Sequence, residues 1–125
     1  MKLSIETRTL GERGVVLVLR GEVDYASAQQ LRAAITAALS RQVDRLVINL
    51  ADVAFLDSTG IGTLVVARRI CDGVRVDLQV REANPFIARL FEVVGVAEAL
   101  GIEVPAGAVV RRAPRPRPEA APQPV

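Results

Sequence analysis

The sequence predicts an α/β fold whose elements follow one another as β-β-α-β-α-β-α, with a small C-terminal element behind them. Three observations carry this. Two apolar segments near the start flank the turn Gly11-Glu12-Arg13-Gly14, as in a hairpin. After them, stretches with apolar residues three and four apart alternate with stretches that are apolar throughout or at every second position. The chain is also short, 125 residues with 50% apolar. That suits a single-layer sheet with its helices largely on one side.

Each element has its own reason. Leu3, Ile5 and Thr7 alternate with Ser4, Glu6 and Arg8, a half-buried strand. Val15 to Leu19 is continuously apolar, as in a central strand, and Gly21-Glu22-Val23-Asp24 ends it. A helix runs from Ala26 to Ser40. Its Ala28, Leu31, Ile35, Ala38 and Leu39 form one stripe, with Gln29 and Arg32 on the other side. Asp24 stands where a carboxylate satisfies the free amides of that helix.

Arg45 to Leu50 is a second buried strand, and Phe55-Leu56 leads into Asp57-Ser58. The helix from Thr59 to Cys71 is apolar around most of its circumference and is expected to be largely buried. Asp72-Gly73 ends it, with the glycine available for a positive φ. Val74 to Val80 alternates, giving a strand with one solvated face. Asn84-Pro85 opens the last helix with proline in its favoured first position. Phe86, Ile87, Leu90, Phe91 and Val94 form its core stripe, Gly95 caps it and Val96 folds back on its last turn. A helical turn at 97–100 and an edge strand at 102–104 complete the body.

From Pro105 the pattern stops. Pro114, Pro116, Pro118, Pro122 and Pro124 alternate with arginine, alanine and glutamine, too few large apolar groups to fold. The expected organisation is a domain at 1–104 and a disordered Pro/Arg-rich tail at 105–125. The tail holds four arginines against Glu119, which leaves twelve basic and thirteen acidic groups in the body. So near-neutral a body does not suggest direct binding of nucleic acid. No apolar stretch approaches the roughly 20 residues that span a bilayer. The start, Met1 to Glu6, lacks the apolar region of a secretory signal, and the expected location is cytoplasmic. Cys71 is the one cysteine and reads as a small packed apolar residue. Histidine is absent, which removes the usual neutral-pH base and the commonest metal ligand. No metal site and no cofactor are expected.

The segment Asp57-Ser58-Thr59-Gly60-Ile61-Gly62 lies between a strand and a helix. One reading makes Asp57 or Ser58 a helix cap and nothing more. A single cap suffices, however, and Gly60 and Gly62 each cost about 1 kcal/mol of helix stability relative to alanine. Their use is to let another surface approach the helix start closely. A nucleophilic Ser58 lacks a base, since there is no histidine and Lys2 is the only lysine. No G-x-S-x-G hydrolase pattern is present either. A phosphate-binding loop is disfavoured by Asp57 and by the missing Gly-Lys-Ser/Thr. The remaining reading makes Ser58 a phosphate acceptor. Modification adds about −1.5 to −2 charges at a helix start that tolerates them, and a partner docked there is expelled by bulk and charge. Tyr25, beside Asp24, either flanks this patch or is a partly buried anchor.

These segments resemble a known family. Leu56 to Gly62 with Leu64, Gly21 to Asp24 before the first helix, and Asn84-Pro85 with Leu90 to Gly95 occur together in the order and spacing of STAS domains. The resemblance covers roughly 3–104 and is closest to stand-alone anti-sigma factor antagonists of bacteria. It implies a mixed sheet of four to five strands packed against helices. It implies that Ser58 is phosphorylated by an anti-sigma factor with serine kinase activity, and dephosphorylated by a serine phosphatase. Asp24 and Asp57 would flank it, and Thr59 matches the small second hydroxyl of the pattern. The implied partner-binding patch is Asp24, Tyr25, Asp57, Ser58, Thr59, Gly60, Ile61 and Gly62. Unphosphorylated, the protein would bind the anti-sigma factor and release a sigma factor, without being an enzyme. Similar domains also serve sensory complexes, lipid-transport systems and anion transporters. The alternative is therefore an unmodified scaffold or accessory subunit, and a third is a small enzyme or nucleotide binder.

Overall fold

The computed structural model describes residues 2–93 and Gly95. Their order is β1 (Ser4–Thr9), β2 (Gly14–Val23), α1 (Tyr25–Leu39), β3 (Arg45–Leu56), α2 (Ser58–Gly73), β4 (Asp77–Arg81) and α3 (Pro85–Val93). The expected sequence of elements is the observed one. Val94, the fold-back of Val96, the turn at 97–100, the strand at 102–104 and the tail lie outside the described residues.

The four strands form one mixed sheet in the order β1-β2-β3-β4. β1 and β2 pair antiparallel as the hairpin, whereas β2, β3 and β4 are parallel. Parallel neighbours need crossovers, and α1 and α2 supply them. The register puts Val15 beside Leu46, Leu17 beside Ile48, Leu46 beside Leu78 and Ile48 beside Val80. These residues share one sheet face and are buried in one cluster with Leu31 and Ile35 of α1. Leu64 and Cys71 of α2, and Ile87 and Phe91 of α3, belong to the same cluster. The opposite face carries ion pairs such as Arg20 to Glu6 (3.3 Å) and Arg20 to Asp52 (3.3 Å).

Five local expectations need correction. β2 and β3 run longer than their regular patterns, because register shifts at Val18/Arg20 and Gly21/Glu22 interrupt the alternation without ending the pairing. Gly73 does not take the positive φ. It is the last residue of α2, and Arg75 adopts φ +62°. The Val76 N–H then donates to the Cys71 carbonyl (2.8 Å) and the Arg75 N–H to that of Asp72 (3.3 Å). This is a complete Schellman closure with arginine where glycine is usual. Val74 consequently falls in the turn, 58% exposed, and the strand starts at Asp77. Phe86 is 65% exposed while Phe91 carries the core contact of α3. Finally, α2 is buried on one side only. Val66 and Ile70 are about half exposed, because no described element covers that flank.

Candidate functional site

β2 and β3 are parallel neighbours, and their last residues Val23 and Leu56 are register partners. Helices α1 and α2 therefore start side by side at the carboxyl edge of the sheet, the usual position of ligand sites in open α/β sheets. The Asp57 N–H donates to the Val23 carbonyl (3.1 Å), which ties the start of α2 to the end of β2.

Both helices are capped by the aspartates that the sequence singles out. Asp24 Oδ1 accepts from the Ser27 N–H (2.9 Å), and Ser27 Oγ accepts from the Asp24 N–H (3.0 Å), a reciprocal capping box. The Ser27 hydroxyl lies 3.0 Å from the Glu22 carbonyl, to which it can donate. These bonds from Ser27, backbone first and then side chain, hold the Asp24 carboxyl below the usual aspartate range. Asp24 is thus a fixed anion at neutral pH. Asp57 Oδ1 accepts from the Gly60 N–H (3.0 Å) and caps α2.

Asp57 therefore fills the capping role, and Ser58 does not. It is the first residue of α2 and is exposed. Among the described residues no hydrogen bond of its hydroxyl is recorded. Thr59 is half-buried, and its carbonyl accepts from Thr63 Oγ1 (2.9 Å). Of the eight residues of the expected patch, Tyr25, Ser58 and Gly62 are exposed. Asp24, Asp57 and Thr59 are half-buried, and Gly60 and Ile61 are buried. Tyr25, at 82% exposure, flanks the site and anchors nothing.

The two glycines have different uses. A Cβ at Gly60 would come within 2.6 Å of Leu56 Cδ1, 2.9 Å of Val23 Cγ1 and 3.0 Å of the Val23 carbonyl oxygen. The surface that approaches Gly60 is the protein's own sheet. A Cβ at Gly62 would meet nothing within 4 Å.

Two further features escape the sequence patterns. Asn84 caps α3 through Oδ1, which accepts from the Ile87 N–H (2.9 Å), while its Nδ2 donates to the Val53 carbonyl (3.0 Å). The third parallel strand thus delivers its helix to the same edge, with Phe86 exposed there. Phe55, 44% exposed, lies two residues before Asp57. A second signal, two apolar residues four apart at Val66 and Ile70, was present in the sequence but indistinguishable from core spacing.

No group of three or more metal-ligating side chains occurs among the described residues. No helix among them is long and apolar enough to cross a membrane. The arrangement offers an exposed hydroxyl at a helix start, next in the chain to the carboxylate that caps that helix.

Comparison with known proteins gives a consistent result. A family model described as "Mlab, STAS domain" matches residues 7–104. The anti-sigma F factor antagonist of Paenibacillus polymyxa is 29% identical over 104 residues, covering 82% of this chain and 87% of that protein. Among solved structures, an anti-sigma factor antagonist from Mycobacterium paratuberculosis superposes with TM-score 0.74 at 24% identity, covering 84% of this chain and 87% of that one. The antagonist SpoIIAA superposes at 23% identity in its unphosphorylated form (TM-score 0.68) and its phosphorylated form (TM-score 0.63). Each covers 84% of this chain, and 92% and 96% of the respective neighbour.

Proposed function

The chain belongs to the STAS domain family, and from that premise we propose that it is an anti-sigma factor antagonist controlled by phosphorylation of Ser58. Unphosphorylated, it binds an anti-sigma factor and so releases a sigma factor. The same partner, acting as a serine kinase, ends that binding by modifying Ser58, and a serine phosphatase restores it. The chain itself acts by binding and not by catalysis.

One observation carries this reading. Ser58 opens α2 with its side chain exposed, while the adjacent Asp57 already caps the helix. A hydroxyl that the fold does not use is open to another protein's active site. Its position at a helix start lets a phosphate be accommodated by the helix dipole. The domain then stays folded while its surface changes sign. Asp24 and Asp57, fixed by backbone bonds, give the kinase two oriented carboxylates and repel the phosphate once it is attached. Support also comes from the relatives named as anti-sigma factor antagonists and from the neighbour solved in both phosphorylation states.

The test is incubation with ATP and the serine kinase anti-sigma factor encoded in the same genome, followed by mass spectrometry and binding measurements. Modification at Ser58 alone is expected. Ser58→Ala should bind and resist modification. Ser58→Asp should fold normally and lose binding by roughly a hundredfold or more, the scale of a charge placed in a desolvated contact. Wild-type affinity in Ser58→Asp would refute the switch. An unmodified Ser58 in a chain that copurifies with a membrane permease would return the scaffold reading.

A further inference from the structure

Between α1 and α2 runs a groove of about 510 Å³, lined by Arg32, Ile35 and Leu39 on one side and Gly62, Val66 and Ile70 on the other. Its walls are mostly apolar, and its lip is open. Val66 is 51% and Ile70 49% exposed, which is unusual for branched aliphatics four residues apart on one helix. The lining positions on α2 from Thr59 to Ile70 span about 16 Å at 1.5 Å per residue, three turns of a helix.

Two details say what fits. Among the described residues, the Arg32 guanidinium has one recorded partner, the neutral Gln29 Oε1 (2.8 Å), and no carboxylate within ion-pairing distance. The groove is therefore apolar with an uncompensated cation at its edge. Gly62, for its part, sits in the groove wall where a Cβ would touch nothing in this chain. The cost of a glycine inside a helix is not offset by any internal contact. Its bare backbone leaves room for a surface arriving from outside.

We propose that the α1–α2 groove docks a single amphipathic helix, about three turns long, of a partner protein, with an acidic residue meeting Arg32. Helices with apolar residues at i, i+3, i+4 and i+7 bind in this way between two helices. An alkyl chain also matches a groove with one cation. In an open groove, however, methylenes on its outer side stay in water, whereas an amphipathic helix turns a polar face outward. This site extends beyond Ser58, and its test needs no anti-sigma factor. It shares Thr59 and Gly62 with the expected patch around Ser58, yet its failure and that of the proposed switch are read by different experiments.

The test uses the full chain, ¹⁵N-labelled, titrated with a synthetic helical peptide of about three turns. The peptide carries leucines on one face and a glutamate at one end of that face. Amide shifts are expected at Ile35, Leu39, Gly62, Val66 and Ile70, and equally in Ser58→Asp. Arg32→Glu should weaken the peptide roughly tenfold, and replacing the peptide's glutamate with lysine should recover that loss. Val66→Asp should abolish the shifts with the rest of the spectrum unchanged. Absence of shifts at these residues, or shifts elsewhere, would overturn the proposal. So would binding indifferent to the charge swap. Groove shifts with palmitate but not with the peptide would overturn the choice of occupant. Shifts that grow with protein concentration alone would assign the groove to a second copy.

Discussion

Gly60 and Gly62 are two residues apart in one helix, yet substitution by alanine should move stability in opposite directions. At Gly60 the new methyl meets Leu56, Val23 and a backbone oxygen, contacts that cannot all give way. Gly60→Ala should destabilise by roughly 1–3 kcal/mol, the cost of overpacking less the gain in helix propensity. At Gly62 the methyl enters open space, and Gly62→Ala should stabilise by up to about 1 kcal/mol. Urea unfolding of the two variants measures both. A common sign would show that α2 is seated differently on the sheet. The sequence indicated both glycines and assigned them one purpose. Only the coordinates separate them, because the clash at Gly60 comes from Leu56 and from Val23, the latter distant in the chain and adjacent through the sheet.

Asp24 gives the residue scale a pH dependence. Its carboxyl titrates lower in the folded chain than in the unfolded one. Its contribution is therefore complete above the unfolded aspartate value of about 4, and lost as pH falls through the folded value. Glu6, lowered by Arg8 and then Arg20, changes stability in the same direction. Asp24→Asn keeps an N-capping oxygen and removes the titration. Its urea midpoint should fall less than that of the wild type between pH 5 and the acid limit, values that bracket the carboxylate range. Parallel pH profiles would show that Asp24 is not held as an ion by Ser27.

At the scale of elements, the close of α2 contains a correctable strain. Arg75 occupies the left-handed position of a Schellman closure. Arg75→Gly should raise stability by about 0.5–1 kcal/mol, because relief of the side-chain clash exceeds the added entropy of the unfolded chain. Thermal melts compare the two. The same element shows how far patterns carry. Strands and helices were legible because apolar period reports which side of a backbone is buried. Where period fails, so does the reading. An apolar helix such as α2 gives no sign of which flank lacks a neighbour, and Phe86 looks like core until Phe91 is seen to fill the place. The bulges in β2 and β3 hid their length for the same reason. At the site, Asp57 and Ser58 were legible together as residues at a helix start. Their division of labour was not, since it depends on which oxygen reaches the Gly60 N–H.

At the scale of the whole molecule, the main core lies on one face of the sheet, although Val18 and Val47 are buried on the other. The core cluster lies on the helical side of the sheet. The ion pairs among the described residues, including Arg8–Glu6, Arg13–Asp44 and Arg45–Asp77, are exposed on both sides, except Arg68–Asp72, whose arginine is half-buried. Pairs of that kind contribute little each, and salt at 1 M cuts their range to about 3 Å. The urea midpoint should therefore change by an amount equivalent to no more than about 1 kcal/mol between low salt and 1 M sodium chloride. A large loss would mean that the charged face holds the fold together.

The bond from the Asp57 amide to the Val23 carbonyl has a consequence for inheritance. The position of Ser58 is set by a strand pairing, an amide bonded to the neighbouring strand, the Asp57 cap and the bare Gly60. Side chains other than Asp57 and those packed against Gly60 take no part in that placement. The exposed surface around the residue can therefore diverge in sequence while the residue keeps its place.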